Sequence, residues 1–238
     1  MSTLDAPDAT RYQGPRPPQL RAAPPWHRLA YIIRRLPRAL EELSAELALA
    51  PDARVLDYGC ADLPYRRFFP ASVGYVGADL PGNPHASVEI AADGSVPLED
   101  GGFDAVVSTQ VLEHVADPAG YLSECHRVLK PGGRLLLSTH GTMLYHPDPV
   151  DYWRWTCAGL RRIVEGAGFR ILRFDGIMGV TATGLQFTQD GLLGRLPRFL
   201  RPALCLVMQA LVGLGDRIDS DESRGLNALV FALVAVKE

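Results

Sequence analysis

The strongest constraint on this chain is an alternation of short apolar runs with helical patterns. Arg54–Tyr58 reads as a strand stopped by Gly59, Tyr75–Leu80 as a second and Ser87–Ala92 as a third. Phe103–Ser108 is a fourth, flanked by Gly101 and Gly102, and Arg134–Ser138, Phe169–Phe174 and Ala228–Val236 follow. Between them, Asp117–Lys130 has a capping Asp117, Pro118 in its first turn, and Leu122, Cys125 and Leu129 on one face; Pro131-Gly132-Gly133 stops it. Thr156 caps another helix that points Leu160, Ile163, Val164 and Ala167 inward and ends at Gly168. Short buried strands alternating with helices require cover on both sheet faces. The pattern predicts an α/β fold: a doubly wound, mostly parallel sheet of about seven strands with helices on both faces.

The flanks depart from this rhythm. Residues 1–25 hold six Pro and little apolar periodicity, and read as a flexible Pro/Arg-rich arm, either a solvated tail or an arm closing over a site. Residues 26–238 read as one domain with its core at 50–178. After Pro37, Leu40, Leu43 and Leu47 continue the spacing set by Leu36 and predict an amphipathic helix. Residues 185–217 read as one or two extra helices forming a lid or an interface, and Asp216–Arg224 as a polar loop. Arg195, Arg198 and Arg201 beside Leu196, Phe199 and Leu200 suit a membrane surface or a lipid-linked substrate; a lid packed on the sheet is preferred.

Charge narrows the partners. The net charge of −3 gives no bulk attraction to nucleic acid or anionic membrane, and none is expected for nucleic acid. Residues 1–38 carry seven Arg against Asp5 and Asp8, so the acidic balance lies in the remainder. Cys60, Cys125, Cys157 and Cys205 form no C-x-x-C pair, which predicts reduced thiols and a cytoplasmic setting. No run reaches about 20 apolar residues, so no transmembrane segment is expected. No metal is expected, because no His and carboxylate set has ligand spacing. Peripheral membrane contact and homo-oligomer formation are both left open.

Ligands of such sheets bind beyond the carboxyl ends of the strands. There the sequence places Asp57-Tyr58-Gly59-Cys60-Ala61-Asp62, then Asp79, Asp93-Gly94 and Ser108-Thr109-Gln110. A carboxylate about twenty residues beyond a glycine turn can accept both hydroxyls of a ribose.

These residues, with Phe103-Asp104, Val111-Leu112-Glu113-His114-Val115 and Arg127-Val128-Leu129-Lys130-Pro131-Gly132-Gly133, resemble the class I S-adenosylmethionine-dependent methyltransferases, most of all the methyltransferase type 11 group. The ordered set carries the resemblance, over roughly residues 50–178. It implies a Rossmann-like domain with S-adenosylmethionine as cofactor. Asp79 and its neighbour Leu80 would face the ribose, Asp93 and Gly94 the adenine. Asp57, Gly59, Cys60 and Ala61 would shape the loop under the methionine part, and Thr109 and Gln110 the wall near the sulfonium. Ala61 stands where the family usually has a second glycine, and its methyl is tolerated there if φ is negative.

A second cluster, His140 to Thr156, is a long loop with two His, Asp151, Arg154 and several aromatics. Its pattern resembles a subgroup of the same methyltransferases associated with saccharide or natural-product modification. Displacement by a hydroxyl needs a base for its proton. His146 or His140 is the candidate, with Asp151 orienting it, and Tyr145, Tyr152, Trp153 and Arg154 are candidate substrate contacts. The bland alternative makes Asp151 and Arg154 a structural ion pair. The expected function is O-methylation of a small molecule by in-line displacement. The rivals are N-methylation, a cyclase or isomerase on the same fold, and a non-catalytic binding protein.

Overall fold

The computed structural model describes residues 11–14, 23–147 and 150–238. In chain order the elements are α1 (Ala30–Ala45), β1 (Arg54–Tyr58), β2 (Gly74–Asp79), β3 (Val88–Glu89), β4 (Phe103–Thr109), α2 (Pro118–Val128), β5 (Leu129–His140), α3 (Cys157–Gly166), β6 (Phe169–Ile177), α4 (Val180–Leu193), α5 (Arg201–Ile218), α6 (Asp221–Leu226) and β7 (Val230–Lys237). The seven strands form one sheet in the order β3-β2-β1-β4-β5-β7-β6. β1 is parallel to β2 and β4, with Leu56 opposite Val76 on one side and Val106 on the other. Among the described residues only β7 runs antiparallel, between β5 and β6, with Leu136 opposite Val234 and Leu233 opposite Phe174. The winding reverses between β1 and β4, which opens a crevice beyond their carboxyl ends.

The alternation along β1 shows how the sheet sorts its two cores. Leu56 packs with Val106, Leu135 and the inward faces of α2 and α3, while Val55 packs with Val107, Leu136, Leu40 of α1 and Val212 of α5. Successive side chains of a strand point to opposite faces, so one strand feeds both.

Several boundaries differ from the sequence reading. α1 begins at Ala30 and carries Pro37 inside it, because burial of Ile32, Ala39, Leu40 and Leu43 outweighs the missing N–H. β3 is only two residues long, since it pairs with β2 at Ala78 and Asp79 alone. β5 runs through Pro131-Gly132-Gly133: α2 stops at Val128, Leu129 pairs with Phe103, and the register shifts before Arg134 meets Ala105. The expected polar loop at Asp216–Arg224 is instead the end of α5 followed by α6. Ser220 caps α6, and Arg224 donates to the carbonyls of Asp216 and Asp219.

The insertion is built on amides. The side chains of Gln186, Gln189 and Gln209 all donate to the Arg28 carbonyl, at 3.0, 2.8 and 2.9 Å. This network ties α4 and α5 to the start of α1. Contrary to the expectation from run length, Arg198–Ile218 is long and apolar enough to cross a membrane by length and composition, with mean hydropathy 1.4. Its inner face holds Gln209 and Asp216, both bonded inside the protein, which makes it part of the packed domain.

Candidate active site

A cavity of about 830 Å³ opens at the crevice beyond β1 and β4. Its walls include Gly59, Ala61, Asp79, Leu80, Gln110, His140, Tyr145 and His146, so the structure brings these expected residues together.

One end of the cavity is the turn after β1. Gly59 has φ +84°, and a Cβ there would collide with Val111 across the cavity floor. Ala61 also sits in the left-handed region, at φ +47°, so the negative φ at which its methyl would be tolerated is not adopted. Its N–H donates to Asp79 Oδ2 at 2.7 Å, and Asn83 Nδ2 donates to the same oxygen at 2.7 Å. Asp79 Oδ1 accepts from the Leu80 N–H, also at 2.7 Å. These bonds fix the carboxylate at the wall. A loop free of side-chain bulk at Gly59 beside a fixed carboxylate fits a ribose-bearing, cationic cofactor.

The opposite end holds three imidazoles. The ring centres of His114, His140 and His146 lie 5.9–6.3 Å apart. His140 is nearly enclosed and sits beside Glu113, a cavity residue that is fully buried and that the sequence reading passed over. Glu113 Oε2 accepts from Thr139 at 2.8 Å, and Oε1 lies 3.2 Å from His140 Nε2. Burial pushes Glu113 up to about 7 and His140 down to about 3. In the sequence Glu113 stands within the Val111–Val115 motif, where no role was assigned to it. Val111, His114 and, from the insertion, Gln186, Phe187 and Asp190 also line the cavity.

Other expected contacts lie outside the lining. Asp57 is buried and accepts from the Tyr75 hydroxyl at 2.7 Å. Cys60 is buried behind the turn, and Thr109 lies in the core. Asp93 turns to Ser95, whose N–H and hydroxyl it accepts, and the Gly94 carbonyl accepts from Tyr58. None of these five positions lines the cavity, and Asp57, Asp93 and Gly94 are engaged by local partners. Asp151 does not orient an imidazole; it accepts from the His146 backbone N–H and from Arg154. Burial opposes its charge, but those donors outweigh it and lower its pKa. Arg154 donates to the Met143 and Leu144 carbonyls as well, so it braces the loop rather than facing a substrate. Trp153 donates to the Val115 carbonyl and stacks on Trp155, and the Tyr152 N–H donates to the Glu113 carbonyl. Neither Tyr152 nor Trp153 lines the cavity. Among the described residues no group of three or more His, Cys, Asp or Glu is arranged to hold a metal ion.

This strand order and this crevice define a Rossmann-like methyltransferase fold. A methyltransferase domain family model (Methyltransf_23) matches residues 26–173. A Mycolicibacterium smegmatis protein named "probable S-adenosylmethionine-dependent methyltransferase" is 39% identical over 82 residues, 32% of each chain. The ubiquinone biosynthesis O-methyltransferase of Xanthomonas oryzae is 34% identical over 122 residues, 43% of this chain and 49% of that one. The chain thus spans between about a third and a half of the length of these curated relatives. In structure it resembles the 1,6-didemethyltoxoflavin-N1-methyltransferase of Burkholderia thailandensis, with TM-score 0.52 at 17% identity, covering 84% of this chain and 77% of that one. The chain belongs to the S-adenosylmethionine-dependent methyltransferases, and S-adenosylmethionine is its cofactor.

Proposed function

We propose that the enzyme methylates an oxygen of a small molecule, a natural product or a saccharide, by in-line displacement with histidine assistance. One observation carries the reading: the Gly59–Asp79 end and the His140–His146 end belong to a single cavity of about 830 Å³. The O-methyltransferase relatives from Xanthomonas oryzae support an oxygen acceptor.

S-adenosylmethionine supplies the electrophilic methyl group when bound. Asp79 would hold its ribose, and Gly59, Ala61, Leu80 and Gln110, which line the same cavity, would shape the surface beneath it. His146 would take the acceptor's hydroxyl proton as the methyl group passes from sulfur to oxygen, with S-adenosylhomocysteine as the leaving group. Its backbone is held by Asp151, which keeps the ring at the cavity wall. His140, uncharged at neutral pH because of its burial, backs His146 and is positioned by Glu113. Water exclusion falls to Phe187 of α4 and to Arg11–Gly14, whose Tyr12 N–H donates to the Pro81 carbonyl. The single-domain division, the N-terminal arm and a cytoplasmic setting with free cysteines belong to the same proposal.

The test is a panel of phenols, sugars and amines incubated with the full chain and S-adenosylmethionine. S-adenosylhomocysteine is measured with each. The expected result is turnover with a hydroxylated acceptor, lost at least about 100-fold in His146→Ala with cofactor binding retained. Turnover with amines alone overturns the oxygen assignment. Unchanged turnover in His146→Ala overturns the base.

A further inference from the structure

The two faces of α5 differ in kind. Its inner face packs on α4 and α1. Its outer face is a continuous apolar stripe: Leu206, Val207, Leu211, Leu214 and Ile218 are 42–70% exposed. These positions recur at helical spacing along an 18-residue helix, about 27 Å long by its rise per residue. Just before the helix, Phe199 is 79% exposed beside Arg198. Scattered apolar side chains on a surface are ordinary, but an unbroken stripe of this length is not.

Charge lies alongside it. A second cavity, of about 310 Å³, runs between α1 and α5 and is lined by Arg34, Arg35, Arg38 and Arg217. Leu214 of the stripe and the adjoining Ala210 form part of its wall, so cationic cleft and apolar stripe are one surface. No carboxylate lines this cleft among the described residues. Asp216 is buried beneath it, bonded to the Tyr31 hydroxyl and the Gly179 N–H, with Arg35 3.9 Å away. The whole chain carries a net charge of −3, so the four guanidinium groups are a local concentration and not a general excess.

We infer that this surface docks the protein on a membrane leaflet rich in anionic phospholipid, with α5 lying flat at the interface. The stripe enters the acyl boundary, and Arg34, Arg38 and Arg217 bind headgroup phosphates. Charge complementarity selects this occupant over a second copy of the chain. An antiparallel two-fold contact through the stripe brings each arginine cleft toward the other with no carboxylate in either wall to offset them. The surface is separate from the methyl-transfer cavity, although α4, on which α5 packs, lines that cavity with Gln186, Phe187 and Asp190.

The experiment is co-sedimentation of the full chain with phosphatidylglycerol–phosphatidylcholine vesicles and with phosphatidylcholine vesicles alone. Light scattering of the protein without vesicles accompanies it. Binding is expected to the anionic vesicles only, weakened by salt. Arg34→Glu/Arg38→Glu is expected to weaken it at least about tenfold. Leu211→Asp, at an exposed position, is expected to do the same without touching the arginine cleft. Failure of the unaltered protein to sediment with anionic vesicles overturns the inference. So does equal binding by both variants, or a dimer that Leu211→Asp converts to monomer in place of vesicle binding.

Discussion

Glu113 Oε1 lies 3.2 Å from His140 Nε2 inside the protein, and burial disfavours the charged form of both, raising Glu113 to about 7 and lowering His140 to about 3. Their effects on stability oppose each other. As pH falls from 7 to 4.5, folded Glu113 takes up a proton that the unfolded chain does not, which stabilises the fold. As pH falls from 6.5 to 3, the unfolded chain takes up a proton that folded His140 refuses, which destabilises it. Between 4.5 and 6.5 the two nearly cancel. Removing one exposes the other: Glu113→Gln is expected to lose about 2 kcal/mol more than the unaltered protein between pH 6.5 and 5. His140→Gln is expected to gain a similar amount over the same interval. Urea unfolding at the two pH values reads both, and parallel curves for all three proteins would contradict the pairing.

The turn after β1 gives a sharper test of the cofactor end. Gly59→Ala places a methyl group against Val111 at φ +84°. It is expected to weaken S-adenosylmethionine binding at least about tenfold by titration calorimetry, because the loop must move away from the cavity floor. Gly59→Ala with Val111→Ala removes the collision and leaves the backbone strain, so partial recovery is expected.

Ala61 carries the same strain without a collision. A non-glycine residue in the left-handed region costs about 1 kcal/mol, so Ala61→Gly is expected to stabilise the protein by about that amount. Cofactor affinity should hold or improve, because the N–H bond to Asp79 is kept. Thermal unfolding with and without S-adenosylmethionine measures both.

These neighbours show what a sequence discloses. The alternation of strands with helices and the Gly59–Asp79 pair were legible because apolar periodicity and a strand-end glycine are local patterns. The sign of φ at Ala61 was not, since it is set by Asp79 and Asn83 closing on the turn from the next strand. Asp93 looked like Asp79 in sequence, yet with Ser95 two residues on it closes a local turn instead. Glu113 gave least warning of all. Its burial depends on Thr139 and His140, more than twenty residues away, and no spacing rule links them. Pro37 and Pro131 misled for the converse reason: local breakers were overridden by packing and by pairing with β4.

The loop between β5 and α3 depends on one guanidinium. Arg154 donates to both oxygens of Asp151 and to the carbonyls of Met143 and Leu144. Lysine cannot reproduce that planar fork. Arg154→Lys is therefore expected to cut turnover nearly as far as Arg154→Ala, about tenfold or more, through kcat and with cofactor affinity unchanged. Full rescue by lysine would instead make Arg154 a simple counter-charge.

The last dependence runs from the insertion to the cavity. Gln209 is 4% exposed, accepts from the Tyr31 N–H at 2.7 Å and donates to the Arg28 carbonyl at 2.9 Å. Gln209→Leu keeps the volume but strands a backbone N–H and the side-chain oxygens of Gln186 and Gln189. Buried polar groups left this way cost about 1–3 kcal/mol each when they find no water, so a fall in Tm of at least about 6 °C is expected. The three amides act as a unit on one carbonyl, so Gln186→Leu/Gln209→Leu should lose less than the sum of the single variants. Gln186 also lines the cavity, and the same substitution is expected to raise the acceptor KM, whereas Gln189→Leu, outside the lining, affects stability alone. Strict additivity in the double variant would show that the amides hold α1, α4 and α5 separately.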